Sequence, residues 1–267
     1  MPTASVAQLR SARRLLQRKQ RERTGTFLVE GPQAVRECAT TCDRIFVTAA
    51  AAERHADLVT TAVSSGVEVL LTEDIDQLTD AITPQGIVGV HRTIDLALDP
   101  LLQPDPANGH EARLLVMAAQ IRDPGNLGTL IRCADAFGAD GVILTTGSVD
   151  PYNPKTVRAT VGSLFHLPIV TGITVAEATQ ACRDAGIGVL AADGSGERNL
   201  DELRDAGRLG APVAWLFGNE AWGLPESDRA LADEAVRVPM WGRAESLNLG
   251  SAAAVCLYAT ASAQHAG

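Results

Sequence analysis

Three polar clusters, each following an apolar run, carry the residue types from which an active site could be built. The first is Gln120-Ile-Arg-Asp-Pro-Gly-Asn-Leu-Gly-Thr-Leu-Ile-Arg132. Asp123-Pro124-Gly125 predicts a turn, Asn126 a helix N-cap, and Leu127, Leu130, Ile131 and Ala134 the buried stripe of the helix that follows. Arg132 falls on the flank of that stripe, where complete solvation is not expected. The second cluster is Leu216-Phe-Gly-Asn-Glu-Ala-Trp-Gly-Leu-Pro-Glu226. Here Gly218 permits a close backbone approach to a ligand, and Glu220 is a carboxylate at a strand end. The third runs from Val238 through Glu245-Ser-Leu-Asn248 into Leu249-Gly-Ser-Ala-Ala-Ala254. Ser246 and Asn248 stand at a helix start, where free backbone N–H groups face outward. Together these groups can orient a polar substrate and manage a proton. Singly, each is equally a loop, a cap or a surface arginine.

The elements needed to position them follow from apolar periodicity. Short β-branched runs at 114–118, 141–144, 167–170, 187–191, 213–217 and 235–238 alternate with helix-period segments near 126–137, 154–161, 174–185, 225–232 and 247–261. That rhythm predicts a mostly parallel six-stranded sheet covered on both faces. Ligands of such sheets sit at the carboxyl ends of the strands, which singles out the loops after residues 118, 144, 217 and 238. The final helix is small and apolar with almost no charged face, so burial on nearly all sides is expected, against a partner subunit or an enclosing chain.

Ahead of this region, Phe27-Leu-Val-Glu30, Arg44-Ile-Phe-Val47, Glu68-Val-Leu-Leu71 and Ile87-Val-Gly-Val90 read as strands, with helices at Pro32, near 50–65 and near 73–81. Asp99-Pro100, Pro104, Pro106 and Asn108-Gly109 contain too many breakers for a helix or strand and predict a linker. The expected organisation is a basic helix over 1–24, a small α/β domain over 25–93, a linker over 94–112 and the large sheet domain over 113–267.

The 267 residues are 46% hydrophobic and 21% charged, which excludes a disordered chain and a small disulfide scaffold. A net charge of -9 argues against a uniformly basic nucleic-acid coat. Yet Arg10, Arg13, Arg14, Arg18, Lys19, Arg21 and Arg23 face one acid, Glu22, within a single stretch. This basic helix is either a solvated face or an arm for phosphate. Lys155 and Arg158 form a second basic pair, open to the same two readings. The five cysteines, with no apolar leader and no apolar run long enough to span a bilayer, point to the reducing cytoplasm. Cys38 and Cys42 could hold a metal at one-turn spacing, but without a second Cys/His pair they are expected to be buried thiols, and no metal site is expected. No Gly-x-Gly-x-x-Gly follows the first strand of the large sheet, and Gly194/Gly196 is only a fragment. This disfavours dinucleotide oxidoreductases and the ordinary open-sheet methyltransferases.

The three clusters, in this order, resemble the SpoU (TrmH) family of RNA ribose 2′-O-methyltransferases. The first motif is matched by Asn126, Gly128 and Arg132, and the second by Phe217-Gly-Asn-Glu220 with Gly223-Leu224. Val238-Pro-Met240 and Glu245-Ser-Leu-Asn248 match the third. The match covers residues 113 to about 262. Phe27-Leu-Val-Glu-Gly31 and Thr83-Pro-Gln-Gly-Ile87 are similar to the ribosomal-protein-like substrate-binding domain of the same family. The resemblance implies a deep trefoil knot in the sheet domain, a homodimer and no membrane association. It also implies S-adenosylmethionine held by main-chain groups at Gly218, Val238 and Leu247, with Leu216, Phe217 and Met240 lining it. Arg132 would approach the ribose hydroxyl and its phosphate, fixed by Asn126 and Glu220, with Ser246 and Asn248 completing the pocket. A guanidinium, with a pKa above ~12 and no lone pair, is a poor base; the phosphate itself could take the proton while Arg132 orients it. The extra N-terminal domain favours ribosomal RNA as substrate, by analogy with the family. The alternatives are a tRNA ribose methyltransferase and a non-catalytic ribosome-assembly factor. The latter should lack Asn126, Arg132 or Glu220, and all three are present.

Overall fold

The structure, a computed structural model, describes residues 1–266, which divide into two compact units. Residues Met1–Ile94 and Asp150–Phe165 make the first; Asp95–Val149 and His166 onward make the second.

The expected continuous basic helix is broken in three. Helix α1 (Val6–Arg13) starts with a Ser5/Gln8 capping box, a 3-10 turn covers Arg14–Leu16, and α2 (Arg18–Thr24) ends at Gly25 in the left-handed conformation. The break lies at Gln17, whose backbone is extended. It lets Leu9, Ala12 and Leu15 face the core together with Leu28, Phe46, Leu70 and Val88. A straight helix would carry some of them to solvent. Strand β1 (Thr26–Glu30) is followed by α3 (Pro32–Glu37), β2 (Arg44–Val47), α4 (Ala49–Arg54), α5 (Ala56–Ser64), β3 (Glu68–Leu71) and β4 (Ile87–Arg92). The helix expected near 73–81 is only a 3-10 turn over Ile75–Leu78. The sheet order is β1-β4-β2-β3, antiparallel except between β2 and β3.

The second unit begins within the segment expected to be a linker. Strand β5 (Asp95–Leu96) and helix α6 (Leu98–Leu102) form there, because Pro100 sits in the first helical turn, where no hydrogen bond is lost. Leu101 is buried in the core, and a Cβ on Gly141 would lie 2.6 Å from its Cδ1. Strand β6 (Leu114–Ala118), helix α7 (Pro124–Ala136) and β7 (Gly141–Thr145) follow. Helix α8 (Pro154–Thr160) then belongs to the first unit, against the expected boundaries. Its segment is held there by Phe27, whose ring meets Tyr152 and Phe165, and by Arg158, which pairs with Glu30 and Asp80. Arg158 is therefore committed to ion pairs rather than offered to RNA.

The second unit continues with β8 (Ile169–Ile173), α9 (Val175–Asp184), β9 (Gly188–Ala192), β10 (Arg198–Asn199), α10 (Leu200–Asp205), β11 (Val213–Phe217), α11 (Glu226–Arg229), β12 (Glu234–Arg237) and α12 (Leu249–His265). The sheet has eight strands rather than six, in the order β10-β12-β9-β11-β6-β7-β8-β5, every pair parallel. The two extra strands are two-residue edges, too short to leave a periodic signal. Strands β6, β7 and β11 are buried throughout, as a parallel sheet sandwiched by helices requires. Each such aliphatic side chain contributes about 1.5–3 kcal/mol on burial.

Helix α12 is buried on one side only. Leu249, Ala253, Cys256, Leu257 and Thr260 face inward, and Trp215 Nε1 donates to Thr260 Oγ1 at 2.9 Å. The opposite stripe, including Val255 and Tyr258, is exposed in the single chain, so the chain's own packing supplies only part of the burial expected for this helix. Among the described residues, no helix is long and apolar enough to cross a membrane.

Candidate active site

Backbone groups at the carboxyl end of β6 are tied to the neighbouring loops. Ala119 N donates to Phe217 O, Gln120 O accepts from Asn219 Nδ2, and Ile121 O accepts from Val149 N. Helix α7 then starts one turn earlier than expected. Asp123 is its N-cap and accepts from Asn126 N at 2.8 Å, while Pro124 takes the first helical position. Asn126 is thereby a third-position residue with its side chain free to reach outward. Its Nδ2 donates to Glu220 Oε1 at 3.0 Å, joining the first and second clusters.

The second cluster is a tight turn. Asn219 and Gly223 exchange both backbone hydrogen bonds, and Asn219 Oδ1 accepts from Ala221 N. Glu220 stands exposed at the tip. A Cβ on Gly218 would lie 2.5 Å from the carbonyl carbon of Gly223. The glycine thus serves an approach of the chain to itself, and its backbone also borders the cavity described below.

In the third cluster Asn248 is the N-cap of α12, its Oδ1 accepting from Ser251 N at 2.7 Å. Gly250 allows α12 to close on α7: a Cβ there would sit 2.6 Å from Thr129 Cγ2, and Cys133 Sγ donates to Gly250 O. The first and third clusters are positioned by this helix contact.

A cavity of about 540 Å³ opens where the clusters meet. Asn126, Glu220, Ser246 and Asn248 all line it, as do Phe217, Gly218, Val238, Met240 and Leu247. Two expected site residues do not. Leu216 alternates to the core face of β11 and packs with Met117, Ile143 and Val189. Arg132 is six residues beyond Asn126, which turns it well away around α7, and it is exposed with no carboxylate partner among the described residues. The loop after β7 is not part of the wall either. It buttresses the β6 loop, with Thr145 and Ser148 hydroxyls both donating to Ala118 O.

Sequence reasoning missed the loop after β9. Ala192, Asp193 and Gly194 line the cavity. The signal available is their place at a strand end, obscured because the Gly194/Gly196 pair reads only as a dinucleotide fragment. Gly196 instead yields to the backbone of Ala235, 2.7 Å from where its Cβ would lie.

The cavity fits S-adenosylmethionine in size and chemistry. Its volume falls in the usual range for small-molecule sites. Phe217, Val238, Met240, Leu247 and Leu249 offer apolar wall to a purine, and the first turn of α12 offers free N–H groups to a carboxylate. Asp193, Glu220 and Glu245 contribute carboxylates, with no lysine or arginine in the wall, which suits a ligand bearing a sulfonium and an ammonium. Among the described residues no group of three or more His, Cys, Asp or Glu is placed to hold a metal ion.

Comparison with known proteins agrees with this geometry. The profile of the SpoU rRNA Methylase family matches residues 113–258, and that of the MRM3-like substrate binding domain matches residues 7–89. The chain is similar to the Bacillus subtilis 23S rRNA (guanosine(2553)-2'-O)-methyltransferase RlmP, 29% identical over 258 residues and covering 96% of both chains. It is also similar to the solved structure of the SpoU methyltransferase AviRb from Streptomyces viridochromogenes in complex with AdoMet. There the TM-score is 0.82 at 30% identity, over 98% of this chain and all of that one, 100%. An AdoMet-bound rRNA methyltransferase from Sinorhizobium meliloti matches with a TM-score of 0.81 at 31% identity, over 97% of both chains. With the sheet, the three clusters and the cavity in place, the chain belongs to the SpoU rRNA methylase family.

Proposed function

We propose that this protein methylates a ribose 2′-hydroxyl in large-subunit ribosomal RNA, using S-adenosylmethionine as donor. The observation that carries the reading is the convergence of Asn126, Glu220, Ser246 and Asn248 on one acidic cavity. Likeness over nearly full length to a 23S rRNA 2'-O-methyltransferase, N-terminal unit included, favours ribosomal RNA over tRNA. A cytoplasmic location belongs to the same reading.

When bound, the donor supplies an electrophilic methyl carbon on a cationic sulfur. Everything else falls to the protein, chiefly positioning and removal of the hydroxyl proton. Gly218, Val238 and Leu247 hold the donor through main-chain groups, with Phe217 and Met240 against it. Glu220, fixed by Asn126, faces the ribose, and Ser246 with Asn248 closes the site beside the start of α12.

Arg132 does not line the cavity of its own subunit. We assign it instead to the cavity of a second copy, in a homodimer formed over the exposed face of α12. The exposed Val255 and Tyr258 and the unpaired Arg132 guanidinium support this arrangement. In that role Arg132 orients the phosphate and ribose bidentately, and the proton passes to the phosphate. A trefoil knot in the sheet unit is part of the same family reading.

RNA recognition is assigned to the first unit. Arg10, Arg13, Arg14 and Lys19 are exposed and meet no carboxylate among the described residues. Arg21, in the same basic segment, is 3% exposed and serves the fold instead. The test is methyl transfer from labelled S-adenosylmethionine to ribosomal RNA isolated from cells lacking the protein. Incorporation at one ribose is expected; none into ribosomal RNA, with incorporation into tRNA, would overturn the substrate.

A further inference from the structure

Asn219 is 5% exposed and spends every hydrogen-bonding group it has. Its backbone N–H and C=O pair with Gly223, Oδ1 accepts from Ala221 N at 2.8 Å, and Nδ2 donates to Gln120 O at 2.7 Å. The last of these bonds is the unusual one, because Gln120 has a φ of +55°. A left-handed conformation is disfavoured for a residue with a Cβ, and such strain persists only where the surroundings hold it. Gln120 is not a glycine, and its side chain passes close enough that a Cβ on Gly147 would meet its Cγ at 3.6 Å.

Gln120 begins the path from β6 into α7, and Asn219 precedes Glu220. The Asn219–Gln120 bond therefore fixes the two loops whose side chains meet in the Asn126–Glu220 contact at 3.0 Å. We propose that Asn219 is a positioning residue for methyl transfer: by holding Gln120 left-handed it sets the placement of Asn126 against Glu220. The proposal rests on the methyltransferase reading for its kinetic consequence, but the conformational claim stands apart from it.

Asn219→Asp keeps an acceptor for Ala221 N but turns the donor toward Gln120 O into a charged carboxylate oxygen, which that carbonyl repels. A protonated carboxyl could donate in place of the amide, and burial raises its pKa. Asn219→Ser keeps a short acceptor for Ala221 N but cannot span to Gln120 O. Gln120→Gly removes the cost of the left-handed backbone, so the bond is no longer needed to hold it.

The experiment measures hydrogen exchange over residues 119–127 together with methyl transfer to unmodified ribosomal RNA. Asn219→Asp should speed exchange on the order of tenfold at neutral pH. It should also lower kcat at least about tenfold, as small misplacements in active sites do. Its activity relative to the native enzyme should recover as pH falls from about 8.5 to about 6. Asn219→Ser should show the same losses with no recovery at low pH. Adding Gln120→Gly to Asn219→Asp should restore most of the lost kcat. Unchanged exchange over 119–127 in both Asn219 variants overturns the proposal. So does a loss of kcat that neither low pH nor Gln120→Gly relieves. If the native enzyme methylates no ribosomal RNA, the substrate reading fails, while the exchange data still decide the role of Asn219.

Discussion

Asn126 Nδ2 and Glu220 Oε1 lie 3.0 Å apart although 94 positions separate them in the chain. The amide belongs to the third residue of α7 and the carboxylate to the tip of the Asn219–Gly223 turn. Both side chains line the same cavity. The hydrogen bond occupies one of the two oxygens of a carboxylate that borders the cavity.

Glu220→Ala should reduce kcat about 100-fold or more, in the range for loss of a positioned polar group. Glu220→Gln should be less damaging in binding, because its amide oxygen can still accept from Asn126. Single-turnover methyl transfer and donor titration calorimetry on both variants separate the two effects.

Arg132→Ala should abolish transfer while leaving donor affinity nearly intact, because Arg132 is absent from the cavity wall of its own subunit. If the partner subunit's Arg132 completes the site, mixing Arg132→Ala with Glu220→Ala should restore activity. Random exchange between the two inactive homodimers should yield about a quarter of native activity, since each mixed dimer has one intact site. Absence of any recovery after confirmed subunit exchange would remove the shared site.

The basic segment should divide sharply under mutation. Replacing Arg10, Arg13 and Arg14 by alanine should leave stability almost unchanged and weaken RNA binding. The slope of log affinity against log salt should shrink by about 0.7–0.9 for each phosphate that is no longer neutralised. Arg21→Ala should instead cost about 3–5 kcal/mol of stability, as breaking a buried ion pair does. Its guanidinium donates to Leu15 O, Leu16 O and Asp150 Oδ2, and the two charged side chains are only 4% and 12% exposed. Urea unfolding and salt-dependent filter binding report the two outcomes.

Gly218→Ala should destabilise the protein by about 1–3 kcal/mol, the usual cost of overpacking. The obstructing atoms are backbone, so no side chain can swing aside. Because the turn that must shift carries Glu220, donor binding should weaken as well. Denaturant unfolding and calorimetry check both.

Alkaline pH should destabilise the fold through its thiols. Burial pushes Cys182 and Cys256 from 9.0 up to about 12, since the thiolate would lose its solvation. The folded pKa lies above the unfolded one. The stabilisation is therefore complete below about pH 9, the unfolded value, and is lost as pH rises toward the folded value. The Tm should fall between pH 8.5 and 10.5, and less steeply in Cys256→Ala after allowance for the cavity it leaves. Both thiols should resist alkylation in the native protein at pH 8.

Much of this protein is written locally. The six long strands show as β-branched runs, because a sheet buried on both faces must be apolar at consecutive positions. Asn126, Glu220, Ser246 and Asn248 could be read as site residues because they follow strand ends in a parallel sheet. Other features depended on partners distant in sequence. Leu216 and Phe217 are adjacent apolar residues on one strand, yet only the sheet's packing decides which faces the core and which the cavity. The break at Gln17 and the burial of Arg21 follow from Leu15, Leu16 and Asp150, and no local rule names Asp150 as the partner. Segment 150–165 sits with the first unit because of Phe27 and Glu30, more than a hundred residues earlier. Composition and periodicity determine which residues are apolar and which elements form. The contact of α7 with α12 and the bond from Asn219 to Gln120 are choices between non-local pairings, settled only when the whole chain packs at once.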